Sequence, residues 1–541
     1  MDRTEFGRWV LEPRPFGSMG STNVTEMGAT PDPNATTRSG RSIRILALLA
    51  VAALLVNFVE TMLVPDLGEL QSFFGGAPVS SIAWVITAYL VVGVCTIPIF
   101  GKLGDIYGKR TILGVVLTIY AVAVALAPLT PDIASYFGVD RVGALNLLIA
   151  VRGLQGVGLA MFPLALAMVA DALPRERVAP AQGLIASMFA IGAALGLVVG
   201  SWLIETAGWQ VAYVSVVPFA VLLTILTVTW LPEGQRGTGV GLDLLGAGLL
   251  GGGLAAFLLG LTFGPTWGWS TLSGGAVGAV SIGVPELFAI AVVLTLLFIW
   301  RERATPEPLI DLHRFATRNI ALAYTGALLV GTALFLGFVA LSILVTTGAG
   351  LNMSPIAFGI ASIPTTISMF VAAPLAGVAI ARIGPRPMIL SGATLSTAGF
   401  LLLLAYHGVY LDLVVEAVPT FVGLIIVLVS VTNVIALSSH KGETGIHMGM
   451  TEMFQDLGAS IGPVLVSTFL TTFTRIVLVP STGGPVETVI PADIGFTYLF
   501  MVGAILAVLL GIIGLFVENY RVADSAVGPS PRPTLSPGET G

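Results

Sequence analysis

Charge is scarce in this chain. Only 10% of its 541 residues are Asp, Glu, Lys or Arg, against 55% apolar residues and a mean hydropathy of +0.95. Soluble domains carry about 25% charged residues, so a chain this poor in them is excluded from the soluble globular class. Cysteine is scarcer still. The single Cys95 stands inside an apolar run, which rules out a disulfide framework. The four histidines (His313, His407, His440 and His447) are scattered without metal-ligand spacing, and no Gly-rich phosphate loop follows a strand. These absences argue against an enzyme, a metal site, a cofactor or a nucleotide-driven machine within the chain. A formal charge of −6 gives no reason to expect nucleic acid as a partner.

What the chain has is apolar length. Fourteen runs read as helices long enough to cross a bilayer, over 45–64, 82–100, 111–128, 144–170, 181–204, 211–230, 244–263, 283–300, 320–345, 356–380, 388–406, 413–437, 446–474 and 494–517. Spanning strands would be about half as long and would alternate polar with apolar residues. The first 42 residues are polar, rich in Pro, Gly, Ser and Thr, and lack the apolar core of a signal peptide. They read as a disordered tail, matched by a second tail at 520–541. Of the 24 Lys and Arg residues, Arg152 falls within span 4 and only Arg141 and Arg475 fall on the side away from the tails. Such a bias places both tails in the cytoplasm of a multi-pass cell-membrane protein.

Charge concentrates in one stretch between spans 2 and 3, Gly101 to Arg110, read as GKLGDIYGKR. The ten residues predict a tight loop pinned at the membrane face. A degenerate copy stands at Gly377 to Arg386, where Pro374, Gly377, Gly384 and Arg386 match Pro98, Gly101, Gly108 and Arg110 at one offset, 276. Gly183, Gly192 and Gly196 match Gly449, Gly458 and Gly462 at an offset of 266. The chain is therefore a duplication. Six spans with loops need about 200 residues, so the larger offset leaves room for two inserted spans between the halves. The expected division is a six-helix bundle over 43–231, two extra helices over 232–305, and a second six-helix bundle over 306–519.

The stretch Gly101, Leu103, Gly104, Asp105, Gly108, Lys109, Arg110 resembles the loop signature of the major facilitator superfamily. Asp243-Leu-Leu-Gly246, Gly268-Trp269 and Glu307-Pro308-Leu309-Ile310-Asp311-Leu312 with Phe315 resemble its fourteen-helix drug:proton antiporter branch. The resemblance implies an all-α membrane protein of the facilitator fold, with fourteen transmembrane helices arranged six, two and six, and a substrate path between two parallel halves. It also implies that Asp105, with Lys109 and Arg110, latches one face by meeting the start of span 13; the bland reading is a solvated turn.

Other residues follow the same two readings. Arg152, Gln155, Gly156 and Gly158 in RGLQGVG resemble the family's second motif, whose arginine is implicated in proton coupling. A charge there needs a carboxylate or a water-filled cavity, unless it is a structural tether near the outer face. Glu60 is the only carboxylate well inside span 1; burial disfavours its charged form and makes it a candidate for reversible protonation. The family places an aspartate nine residues before the closing proline, which is Val56 here, so Glu60 stands one turn later on the same face or reaches toward the interface. Glu452 and Asp456 in span 13 share a face and suit a proton relay, or else lie in a wet mouth. Gly192, Gly196 and Gly200 resemble the antiporter motif of span 5, but Leu197 stands where the family has proline, so the expected bend is missing and close helix packing is the safer reading.

The expected function is proton-coupled export of small amphipathic compounds, neutral or cationic, with protons and the lipid bilayer as the other partners and a monomer as the acting unit. A facilitator importing a metabolite or moving lipid, and a non-transporting receptor or scaffold, stay open.

Overall fold

The structure, a computed structural model, describes residues 35–63, 70, 73–75, 79–232, 241–270, 272, 275–277, 280–305, 308–310, 317–346, 355–405, 410–439, 443–479 and 486–519. Residues 1–34 and 520–541 of the tails, with Glu307, Asp311, Leu312 and Phe315, fall outside these residues; 35–42, expected as part of a disordered tail, form the start of the first helix instead. Fourteen helices among them are long and apolar enough to cross a membrane. In chain order they are α1 (Ala35–Thr61), α2 (Val79–Tyr107) and α3 (Lys109–Leu126, continued by a 3₁₀ turn into Thr130–Tyr136). Next come α4 (Arg141–Gly156, then a 3₁₀ turn and Met161–Ala172), α5 (Arg175–Leu195, then a π turn and Ser201–Ala207) and α6 (Trp209–Trp230). The inserted pair is α7 (Leu244–Trp267) and α8 (Val284–Ala304). The second half holds α9 (Arg318–Thr346), α10 (Pro355–Ile383), α11 (Pro385–Ala405), α12 (Tyr410–Ser438), α13 (Thr444–Thr472) and α14 (Asp493–Phe516). Helices are forced on these runs because hydrocarbon offers no partner for a backbone N–H or C=O.

Two short antiparallel hairpins interrupt the helical pattern. Gly275–Val277 pairs with Val280–Ile282 between α7 and α8, and Thr474–Val479 pairs with Val486–Pro491 between α13 and α14. The second pair is rich in Val, Ile and Thr, which favour strands once the chain leaves the membrane.

The duplication is visible in the packing. Within the halves α1 lies on α5 and α9 on α13; across the halves α2 lies on α13 and α5 on α10. Every one of these contacts is lined by the repeated glycines. A Cβ on Gly192 would strike the Leu54 backbone on α1, and one on Gly458 would strike the Leu328 backbone on α9. Between halves, Gly183 abuts Ala373 and Pro374, while Gly449 abuts Ile97 and Pro98. Without Cβ atoms the helices approach to backbone contact, the closest packing a membrane helix can reach.

Two expectations need correction. The stretch from Gly101 to Arg110 is not a loop: α2 runs through Tyr107 and α3 begins at Lys109, leaving Gly108 alone as the break. Gly108 adopts φ 98°, a conformation that L side chains rarely take, so one glycine replaces a loop. Gly384 repeats the device at φ 88° between α10 and α11. Nor is α5 regular for want of proline. Gly196–Gly200 forms a π turn, widening the helix where Gly196 meets Phe58 and Thr61 and Gly200 meets Met62. Glycines that seat on a neighbouring backbone break the register as a proline would.

Candidate functional site

The signature residues assemble at the face where α2 turns into α3. Gly101 lies against the Gly445 carbonyl, which brings Asp105, one turn on, to the start of α13. Asp105 accepts from the Gly445 amide at 2.9 Å through Oδ1 and from the Ile446 amide at 2.8 Å through Oδ2. These are first-turn amides with no helical partner of their own, at the positive end of the helix dipole. Lys109 Nζ lies 2.7 Å from Asp105 and 2.7 Å from Asp171 on α4. Asp171 in turn accepts from the Thr444 hydroxyl at 2.8 Å. Asp105 and Lys109 are 3% and 1% exposed, so this is a buried network and not a solvated turn. It ties α2, α3 and α4 to α13 and holds the two halves together on this face. Arg110 reaches the Val228 carbonyl on α6.

The second motif lies deeper. Arg152 is fully buried on α4. Its Nε donates to the Val85 carbonyl at 3.0 Å, Nη1 donates to Gln155 Oε1 at 3.0 Å, and the guanidinium sits 4.6 Å from the Tyr89 ring centroid. The expected carboxylate is not in ion-pair contact; carbonyl, amide and ring faces hold the cation instead, because α2 presents its backbone there. That approach depends on Gly156, whose Cα faces the Tyr89 carbonyl, and on Gly158, which accepts the Tyr120 ring.

Glu60 faces the same region from the end of α1. It is half-buried, with Oε2 wholly enclosed and unbonded. Arg152 and Tyr89 lie within electrostatic reach of its carboxyl, and Glu452 and Asp456 on α13 feel its charge from the opposite half. Glu452 is 5% exposed, and Asp456 keeps Oδ2 enclosed without a partner. Neither lies in an open mouth. Val56, where the family's aspartate would fall, is packed in the apolar core. One turn on, Glu60 takes its place beside the polar cluster.

Gly192, Gly196 and Gly200 contact α1 from Leu54 to Met62, on either side of Glu60, and set how closely Glu60's helix seats on α5. Other participants escaped the sequence reading. Tyr89 and Tyr213 are tyrosines in apolar spans, which pattern alone does not separate from core aromatics. Tyr324 on α9 shares a 2.6 Å hydrogen bond with His447 Nδ1 on α13, three residues past Thr444. The inserted pair is less remote than its scaffold reading implied. α7 packs on both α2 and α13, with Cys95 Sγ 3.1 Å from the Gly251 carbonyl and the Trp84 ring tilted against Phe263.

Residues 49–241 match the family model described as Major Facilitator Superfamily. The multidrug transporter protein MdtP of Bacillus subtilis is 26% identical over 438 residues, covering 79% of this chain and 74% of that protein. The tetracenomycin C resistance and export protein of Streptomyces glaucescens is 27% identical over 441 residues, covering 80% and 76%. The crystal structure of the human organic anion transporter MFSD10 superposes with a TM-score of 0.59 at 17% identity, covering 87% of this chain and 99% of that one. With its two related halves, its glycine-broken signature and its fourteen spans, the chain belongs to the major facilitator superfamily and is a membrane transporter, not an enzyme.

Proposed function

We propose that the protein exports small amphipathic compounds, neutral or cationic, across the cytoplasmic membrane in exchange for protons. Glu60 is the proton site and Arg152 its electrostatic partner, with Glu452 and Asp456 as relay groups from the other half. The carrying observation is that a half-enclosed carboxylate of α1 shares one buried cluster with a fully buried arginine and faces two further carboxylates across the halves. A carboxylate so enclosed gains from binding a proton, and an approaching cation or a shift of the halves releases it. The Asp105–Lys109–Asp171 network keeps the signature face shut while the opposite side exchanges protons; both tails then lie in the cytoplasm. The working division is a bundle at 43–231, the inserted pair at 232–305 and a bundle at 306–519. The similarity to the multidrug transporter protein MdtP and to the tetracenomycin C resistance and export protein supports this substrate class and direction.

The test is flux in everted vesicles. Glu60→Gln should lose proton-driven efflux at least tenfold while still inserting and folding. Full retention of coupled efflux by that variant would sink the role of Glu60. Purified protein should also release protons when substrate is added, whereas a uniporter of the same fold should release none.

A further inference from the structure

Three buried tyrosines of the first half direct their hydroxyls at one small region around Arg152. Tyr89 on α2, Tyr120 on α3 and Tyr213 on α6 are each at most 1% exposed. Arg152 Nη1 donates to the Tyr213 hydroxyl at 3.4 Å, and the guanidinium rests on the Tyr89 ring. Tyr120 packs on Gly158 with its hydroxyl directed at the Gln155 side chain, within reach of Tyr213, Arg152 and Glu60. The enclosing wall is aromatic: Trp209 packs edge-on against Tyr213 at 6.1 Å and against Phe73 at 5.6 Å.

The polar capacity of this region is mostly unused. Tyr89 Oη, Tyr120 Oη, Gln155 Nε2, Arg152 Nη2 and Glu60 Oε2 are all buried without a well-formed hydrogen bond; Tyr89 faces Glu60 and Tyr120 faces Gln155, and these loose approaches leave most of their capacity open. One orphaned group in a membrane helix is costly; five side by side in one cluster are not a packing accident. They come from α1, α2, α3 and α4, so no single helix irregularity explains them. Water with two to four polar neighbours is the ligand that satisfies such a set.

We propose that Tyr89, Tyr120, Tyr213, Gln155 and Arg152 line a buried chamber that binds ordered water and relays protons to Glu60. The inference rests on the reading of Glu60 as the proton site and adds the groups that serve it. In the relay, each water or hydroxyl accepts one proton and releases another, so only Glu60 changes charge. The fixed charge of Arg152 orients water oxygens toward itself and keeps an excess proton from resting there. The groups facing Glu60 from the other half are Glu452 and Asp456, which exchange protons with Glu60 from the side of α13; Asp456 is also within electrostatic reach of Tyr89. The tyrosines are positioning residues for the water.

Hydroxyl-radical footprinting of the full-length protein in nanodiscs tests the chamber directly, since radiolysis of bound water marks the side chains beside it. Tyr89 and Tyr120 should be oxidised despite their burial, while Tyr324, equally buried but bonded to His447, stays unmodified. Equal protection of all three would overturn the chamber. Tyr120→Phe tests the relay because it removes one hydroxyl and keeps the ring. It should slow proton-driven efflux about fivefold, one hydrogen bond's worth, with substrate counterflow unchanged. Unchanged efflux, or parallel loss of counterflow and efflux, would overturn the relay. A wild type without any proton-driven flux would overturn the earlier reading and the relay with it, while the footprint still decides the chamber.

Discussion

The α2/α13 and α5/α10 crossings are two copies of one packing, and the buried Asp105–Lys109–Asp171 network stands at the first. Gly101 and Gly377 each press on the facing backbone, at Gly445–Ile446 and at Ala179–Pro180 respectively. Those two facing pairs are themselves counterparts at the offset of 266. At the first crossing α13 begins at Thr444, so Gly445 and Ile446 still have free amides to give. At the second, α5 begins at Arg175, which makes Ala179 its fifth residue and puts its amide inside the helix. Pro180 has no N–H at all. A carboxylate at position 381 would therefore meet no donor, and alanine stands there. The second copy lacks the acid and its receptor alike, which teaches that the close backbone approach is the shared device and the Asp105 network belongs to one side.

Bulk at the glycines should break both crossings alike. Gly101→Leu and Gly377→Leu would each drive a side chain into facing backbone, at a cost of about 3 kcal/mol or more, and transport should fall at least tenfold in both. A normal rate in either variant would show that its crossing does not need to close. Removing charge should separate the copies. Asp105→Asn leaves Lys109 paired with Asp171 but removes a charge from two amides, about 2 kcal/mol, or roughly 30-fold in the balance between shut and open. Alkylation of cysteines placed behind the network would report that opening. Ala381→Asp, in contrast, should not strengthen the second crossing; tighter protection there would contradict the account of Pro180. The turn glycines should cost less. Gly108→Ala and Gly384→Ala each force alanine into positive φ, about 1–3 kcal/mol. Gly384 should be the more sensitive in thermal unfolding, because a Cβ there also meets Asn519, which donates to the Ile383 carbonyl.

The smallest effect should come from the insert. Burial disfavours the Asp243 carboxylate, but the Gly246 amide and Arg301 outweigh it and hold its pKa below the usual carboxylate value. The stability it adds is then present above about pH 4 and lost as pH falls through the lower folded value. With Arg301 partly exposed, Asp243→Asn should cost about 0.5 kcal/mol or less. That difference should stay constant from pH 5 to pH 8; a difference that changed across this range would mean another group titrates with it.

Much of this was legible in residue order. Apolar length gave fourteen helices, because hydrocarbon leaves the backbone no alternative. The offsets of 276 and 266 pointed to pairs of glycines that turn out to occupy matching contacts. Asp105 could be placed against α13 through the family resemblance. What stayed hidden was what depends on distance across the chain. Asp171 stands in a charged run that reads equally as a partner of the signature stretch or as solvated, and only its contacts with Lys109 and Thr444 decide between the two. Tyr89, Tyr120 and Tyr213 were indistinguishable from packing aromatics, since nothing in a single span says which hydroxyls converge. The π turn in α5 was missed because proline was taken as the means of breaking a helix, where three glycines on a neighbour's backbone serve as well.

The seat of α7 has a consequence for how molecules dissolved in the bilayer meet this protein. Two seams separate the halves, and α7 roofs the one formed by α2 and α13. Among the described residues neither α7 nor α8 packs on the other seam, where α5 and α10 meet. The two edges of the junction therefore differ, one carrying the inserted helix and the other not. Two nearly equivalent halves thus present the bilayer with two unlike edges.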